Sequence, residues 1–230
     1  MIKELKEIAY HAILHIGKMD LSPLSWGNLS VIDRKKSLIA IKSSGVPINK
    51  ITYNDISIID IDGNCISGQN PSVDSEIHCT LYKNFLDINT IIHTHSYWAT
   101  IWSQMGIDIP VLGTTHADYF KTPIPCTRPL LKKEVQTIYE KNIAHSILER
   151  FKSISYRETP AVLVNSHGPF IWGEDIDSAL NHAIILEVIA NFAWHTYLFT
   201  QKSIPQFLID KHYYRKHPGK KIWNIVKKLL

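Results

Sequence analysis

Short runs of β-branched residues, each bounded by polar turns, recur through the 230-residue chain. Such runs predict strands, here at residues 29–32, 38–41, 56–61, 90–93 and 161–165. Apolar residues spaced three and four apart predict helices over residues 5–16, 74–85 and 179–193. Because strands and helices are interspersed, we expect an α/β or α+β layered fold, in which helices cover a sheet.

The chain shows no repeat, low-complexity stretch or linker, so we expect one domain over residues 1–230. The net charge is +4, but the segment from Lys211 onward has seven Lys and Arg and no acid, so the preceding residues carry −3. Positive charge concentrated in a tail argues against a nucleic-acid binder with a basic face. Apolar residues of this tail would share one side of a helix, with lysines around them, and we expect such a helix to pack on the protein or on a neighbouring subunit.

Neither a signal peptide nor a membrane span is predicted, because Lys and Glu interrupt the first ten residues and no apolar run is long enough. The three cysteines are widely spaced and form no CxxC pair. This pattern is typical of reduced thiols and argues against a cysteine-based zinc site. We therefore expect a cytoplasmic protein without a membrane or nucleic-acid partner.

Two histidines, His93 and His95, stand two residues apart at the end of a predicted strand. Side chains at this spacing project from the same face, so both imidazoles could bind one metal ion. Random placement of 12 histidines gives about 0.6 such pairs, so the spacing alone does not separate a ligand pair from coincidence. A third histidine, His167, follows another predicted strand, and three imidazoles would leave an open position on zinc.

Two acidic residues, Asp74 and Asp118, are candidates for proton transfer, although taken alone they are better explained as a helix cap and a turn residue. Two turns rich in small residues, at 27–30 and 42–45, offer backbone N–H groups, hydroxyls and a lysine. A phosphate monoester needs such donors, but most turns of this composition bind nothing.

Five motifs occur in order along the chain: LSWGNLS at 24–30, IHTHS at 92–96, GTTHADYF at 113–120, IPCTR at 124–128 and SHGPF at 166–170. Together they resemble the L-ribulose-5-phosphate 4-epimerase branch of the class II aldolase family. The resemblance extends to DKHYYRKH at 210–217, which leaves 218–230 as a divergent basic tail. It implies an α/β fold with three α/β/α layers around a largely antiparallel sheet, and a homotetramer with active sites between subunits.

The resemblance also assigns site residues. It implies Zn²⁺, with Mn²⁺ or Co²⁺ as substitutes, bound by Asp74, His93, His95 and His167. Substrate and phosphate positions fall on Gly27, Asn28, Lys42, Ser44, Gly45 and Ser72. Asp118 corresponds to an acid/base that reaches a neighbouring subunit's site, and the subunit seam includes Thr114, His212 and Arg215.

The implied reaction is epimerisation of L-ribulose 5-phosphate to D-xylulose 5-phosphate at C4. The C3–C4 bond would break in a retro-aldol step, leave an enediolate stabilised by the metal, and re-form on the other face of the aldehyde. Inversion in this way needs two proton-handling groups, one on each face. Asp118 would be one of them.

The chain departs from the family pattern at two positions. The tyrosine that family members have near the C-terminus falls on Trp223, and the second serine before the aspartate falls on Val73. An indole cannot titrate usefully, so the second acid/base is unknown. Three alternatives stay open: a sugar-phosphate aldolase similar to fuculose-phosphate aldolase, a catalytically weakened family member, and a non-enzymatic relative that keeps the fold.

Overall fold

The computed structural model describes residues 2–19, 21–22, 24 and 26–218. Trp223 and the predicted tail helix therefore lie outside the described residues. Within that part of the chain, seven strands are found: β1 (Asn28–Asp33), β2 (Leu38–Lys42), β3 (Ile56–Asp60), β4 (Cys65–Ser67), β5 (Thr90–His93), β6 (Ala161–Val164) and β7 (Gly168–Gly173). The helices are α1 (Ile2–Lys18), α2 (Ser75–Asn84), α3 (Tyr97–Met105), α4 (Thr114–Ala117), α5 (Lys132–Val135), α6 (Tyr139–Arg150), α7 (Ile176–Tyr197) and α8 (Gln206–Lys216).

The strands form a single sheet in the order β4-β3-β2-β1-β5-β7-β6, and every neighbouring pair is antiparallel. β5 lies between β1 and β7. In the register of these pairs, His93 is opposite Asn28 on one side and opposite Phe170 on the other. Residues that are far apart in sequence thus meet at one end of the central strands.

Helices cover both faces of the sheet. One core lies under α1, α3 and α7 and includes Ile13 and Trp102, whereas the other lies under α2 and α6 and includes Tyr82 and Trp172. Apolar residues alternate along β2, with Ala40 in the first core and Ile39 and Ile41 in the second, as expected for a strand buried on both faces. This arrangement confirms the α/β/α fold with an antiparallel sheet.

The 22-residue helix α7 is the one described helix that is long and apolar enough to cross a membrane by length and composition, although buried core helices meet the same criterion. One side of it, including Leu186 and Ala190, is buried against the sheet and α3. The opposite side exposes Ile184, Val188 and Phe192. Apolar residues therefore occur on both the buried and the exposed side of α7.

The predicted strands and helices are found, with differences at their ends. Gly168 and Pro169 of the SHGPF motif begin β7, a strand that the sequence pattern did not predict. Gly and Pro are typical of turns, and here they pair with Val164 and Leu163 of β6 instead. The three cysteines are free, and burial raises the pKa of Cys79 and Cys126 to about 12.

Candidate metal centre and substrate pocket

The three histidines singled out in the sequence come together at the ends of β5 and β6. His93 ends β5, His95 follows it by two residues, and His167 lies in the turn between β6 and β7. One ring nitrogen from each lies within 4.8 Å of the others, and the Nε2 atoms of His93 and His95 are 3.1 Å apart. Two nitrogen ligands of a tetrahedral zinc ion are separated by about 3.4 Å. The cluster therefore fits a metal ion bound by three imidazoles.

The orientation of His93 is fixed by its neighbours. Its Nδ1 donates to the carbonyl oxygen of Pro169 at 2.9 Å, because a carbonyl can only accept, and this leaves the Nε2 lone pair facing the cluster. The ring stacks on Phe170 with 4.3 Å between centroids. Burial lowers the pKa of His93 well below its usual value, and the other two imidazoles lower it further. The neutral form that a metal requires is therefore favoured.

Burial also lowers the pKa of His95 and of His167, while the nearby Asp74 carboxylate raises both. The Nδ1 atom of His167 is buried and has no hydrogen-bond partner among the described residues. The protein alone therefore leaves this imidazole incompletely hydrogen-bonded. The donor set and the geometry thus both fit a divalent metal.

The backbone that carries His93 and His95 is held between two glycines. Gly27 has a φ of +82°, and a Cβ there would lie 2.5 Å from the carbonyl oxygen of His93. On the other side, a Cβ at Gly168 would lie 2.7 Å from the carbonyl oxygen of Thr94. The left-handed turn before His167 is made by Ser166, at a φ of 59°, and not by the glycine. Gly168 is therefore required for close packing, not for its conformational freedom.

Asp74 lies beside the imidazoles but is not part of the three-residue cluster. Asp74 is the N-cap residue of α2, yet its side chain makes no capping hydrogen bond. Instead the carboxylate accepts from Asn28 Nδ2 at 2.6 Å, and the same amide group donates to Ser72 Oγ at 3.1 Å. Interpretation of Asp74 as a helix cap is therefore wrong for the side chain, and the carboxylate faces the pocket.

A pocket of about 290 Å³ opens next to the histidines. Its lining contains all six residues that the resemblance assigns to substrate and phosphate binding, namely Gly27, Asn28, Lys42, Ser44, Gly45 and Ser72. Lys42 Nζ donates to the carbonyl oxygens of Ser43 at 3.1 Å and Val46 at 2.7 Å. Burial lowers the pKa of Lys42, while Asp55 and Asp74 raise it.

Three further residues line this pocket. Val73, noted as a departure from the family pattern, lies at the rim and is 65% exposed. Tyr139 and Glu140, in the first turn of α6, were not singled out in the sequence. Burial raises the pKa of Tyr139, and the carboxylates of Asp74 and Glu140 raise it further. No local motif marks these two positions, because α6 reaches the pocket only through tertiary packing.

Asp118, His212 and Arg215 form a second polar cluster. The Asp118 carboxylate is 3.0 Å from His212 Nδ1 and accepts from Arg215 Nη2 at 3.0 Å. Thr114 begins the short helix that ends beside Asp118, whose N–H donates to the Thr114 carbonyl. None of these four residues lines the pocket of the three histidines within the chain. Asp118 is therefore more than a turn residue, since two side chains of α8 hold its carboxylate.

A buried polar group under the pocket was also missed in the sequence. Ser30 Oγ lies 2.7 Å from His78 Nδ1 and 2.8 Å from the hydroxyl of Tyr82. Burial lowers the pKa of His78 to about 3, so this imidazole is neutral. The sequence does not predict this group because Ser30 and His78 are 48 residues apart and meet only in the folded chain.

Residues 7–194 match the family model described as the class II aldolase and adducin N-terminal domain. The chain belongs to the class II aldolase family. Among curated family members, the L-ribulose-5-phosphate 4-epimerases UlaF of Salmonella paratyphi B and Salmonella typhi are each 39% identical to this chain over 219 residues. These alignments cover 94% of the chain and 96% of each relative, and they confirm the resemblance found in the motifs.

Among solved structures of class II aldolase relatives, an L-fuculose 1-phosphate aldolase superposes with a TM-score of 0.77 at 24% identity. The match covers 94% of this chain and 96% of that one. At this level of identity the likeness shows the shared fold alone. It agrees with the three-layer arrangement described above.

Proposed function

We propose that this class II aldolase family member is a metal-dependent L-ribulose-5-phosphate 4-epimerase, which forms D-xylulose 5-phosphate by inversion at C4. The observation that carries the proposal is the placement of three neutral imidazoles beside a pocket lined by Asn28, Lys42 and Ser44. The identity to curated epimerases over nearly the whole chain supports the same reaction.

His93, His95 and His167 would hold a divalent ion, which we propose to be Zn²⁺, with Mn²⁺ or Co²⁺ as substitutes. Asp74 is the proposed acidic member of this site. When bound, the ion supplies Lewis-acid stabilisation of the charge that develops on the substrate's oxygens as the C3–C4 bond breaks. The imidazoles need no deprotonation to serve, because burial already favours their neutral form.

The phosphate end of the substrate would be bound by the two small-residue turns. Gly27 and Asn28 come from one turn, Lys42, Ser44 and Gly45 from the other, and Ser72 lies between them. The Lys42 ammonium, fixed by two carbonyl oxygens, would bring a positive charge to the phosphate. Anchoring at the phosphate would keep the cleaved aldehyde fragment in the pocket while it turns over.

Proton transfer on one face of the aldehyde is assigned to Asp118, with His212 and Arg215 holding its carboxylate. Because this cluster does not line the histidine pocket of its own chain, we propose a homotetramer whose active sites combine two subunits. Exposed apolar side chains on α7 and beyond, Val188, Phe192 and Phe199, offer a surface for this association. The group acting on the other face is unassigned.

Subunit association would also cover the exposed side of α7, so we propose a soluble, cytoplasmic protein and not a membrane protein. The single domain predicted over residues 1–230 and the absence of a nucleic-acid partner stay part of this proposal.

The test is a coupled assay for D-xylulose 5-phosphate with metal-loaded protein and L-ribulose 5-phosphate. His95→Ala should abolish turnover, whereas His15→Ala, on the exposed side of α1, should leave it unchanged. Release of a free aldehyde without the epimer would favour the aldolase alternative. A folded, metal-loaded protein with neither product would contradict the proposed function.

Shared active sites can be tested separately by mixing two inactive variants, Asp118→Asn and His95→Ala. If the site combines two subunits of a ring, random mixing should restore about one quarter of the wild-type activity. Activity that stays at the level of the separate variants would show that Asp118 does not act across a seam.

A further inference from the structure

Helix α3 begins two residues after His95, and its first amide groups are bound by a side chain from a distant part of the chain. The carboxylate of Glu187 accepts from the backbone N–H of Trp98 at 2.8 Å and from that of Ala99 at 3.0 Å. Ser96, the N-cap residue, makes no side-chain capping bond of its own. Glu187, which belongs to α7, therefore caps α3, although it lies 89 residues after Trp98 and 88 residues after Ala99.

This contact places a full carboxylate on the positive end of α3. Both oxygens are used, one for each amide, so the interaction fixes the direction of the helix end as well as its distance from α7. A third hydrogen bond, from Trp102 Nε1 to the carbonyl of Ala190 at 2.9 Å, ties the next turn of α3 to α7. The start of α3 is thus attached to the 22-residue helix α7.

His95 depends on this backbone more than His93 does. The Nδ1 of His93 is fixed by the carbonyl of Pro169, whereas no described residue hydrogen-bonds to His95 Nδ1. The ring of His95 contacts Trp26, which is 51% exposed, and the other two imidazoles of the cluster. Its position therefore follows from the course of the chain into α3.

We propose that Glu187 is a positioning residue for the metal centre, which acts by fixing the end of the segment that carries His95. This inference rests on the metal-binding part of the proposed function. Glu187 does not line the substrate pocket and would touch neither metal nor substrate. Loss of the Glu187 carboxylate would change none of the three imidazoles, but it would let His95 move away from the arrangement that binds one ion.

The experiment titrates metal-free protein with Co²⁺ and follows the visible absorption of the bound ion. Glu187→Ala should weaken Co²⁺ binding by about tenfold to a hundredfold and alter the spectrum, as loss of groups that orient ligands commonly does. Glu187→Gln keeps one acceptor oxygen and should give an intermediate affinity. Thermal unfolding of the same metal-free samples measures the loss of stability independently.

The matched control is Asp175→Ala, which also removes a carboxylate that accepts from a helix amide, the Ser178 N–H at 2.7 Å. It should lower the unfolding temperature without changing Co²⁺ affinity. The proposal is overturned if both Glu187 variants fold and bind Co²⁺ as tightly as the control. Wild-type protein that binds no Co²⁺ would overturn the proposed function together with this inference.

Discussion

Substitution of Gly168 by alanine tests whether close packing holds the metal-binding segment. The added Cβ would lie 2.7 Å from the carbonyl oxygen of Thr94 and 3.4 Å from His93 Cε1. A relaxed contact between carbon and a carbonyl oxygen needs about 3.3 Å, so one of the two backbones must move by about 0.6 Å. The conformation of Gly168 itself is allowed for alanine, because its φ is not positive.

Overpacking of this kind costs about 1–3 kcal/mol. In a chain of this length each kcal/mol corresponds to about 2–4 °C, so Gly168→Ala should lower the unfolding temperature by about 2–12 °C. Metal affinity should fall with it, by about tenfold, because the displaced backbone belongs to the segment between His93 and His95. Differential scanning calorimetry of metal-free protein and a Zn²⁺ competition titration measure the two effects.

The control for this prediction is Gly113→Ala. Gly113 has an extended backbone, with a φ of −154°, and a Cβ there would have no atom within 4 Å. Its substitution should change the free energy of unfolding by less than about 1 kcal/mol, the scale of a helix N-cap preference. The packing argument is refuted if the two alanine variants unfold at the same temperature and bind Zn²⁺ equally.

Three further predictions follow from buried or charged contacts. Phe170→Leu should weaken metal binding because it removes the ring that stacks on the His93 imidazole. The control Phe85→Leu, in the core beside Tyr156, should lower stability by a similar amount and leave Co²⁺ affinity unchanged in a titration of both variants. Ser30→Ala removes a buried hydroxyl shared by two side chains and should cost about 1–3 kcal/mol in urea unfolding, with equal stability to wild type as the contrary result. Arg128 lowers the pKa of Glu134 from 4.5 to about 2, so the Glu134 carboxylate stabilises the fold above pH 4.5 and this contribution is lost as the pH falls towards 2. The free energy of unfolding of Glu134→Gln should therefore vary less with pH between 4.5 and 2 than that of the wild type, and parallel curves would contradict the prediction.

The histidine pair could be predicted because its signal is local. Two residues at the end of a strand share a face whatever the rest of the fold does, and β5 was visible as an apolar β-branched run. His167 could be proposed as a third ligand only as a residue after another strand. What brings it to the other two is β7, which pairs Phe170 with His93, and β7 was hidden because Gly168 and Pro169 have the composition of a turn.

The rest of the site depends on tertiary contacts that a single sequence does not encode locally. Tyr139 and Glu140 reach the pocket because α6 packs on α2, and Glu187 reaches α3 across the layer formed by α7. Asp118 was assigned from the family resemblance, but its ion pair with Arg215, 97 residues away, became visible only in the fold. The candidate metal group among the described residues consists of the three histidines that the sequence analysis singled out.

The position of β5 in the sheet has a consequence for how the chain matures during synthesis. β5 is flanked by β1, made early, and by β7, which is the last of the described strands to leave the ribosome. Until residue 173 has emerged, β5 presents an unpaired edge of alternating N–H and C=O groups, and the third imidazole has no place to dock. A nascent chain of this protein therefore passes through a long interval with an open, apolar sheet edge at its centre, when pairing with another chain competes with completion of its own fold.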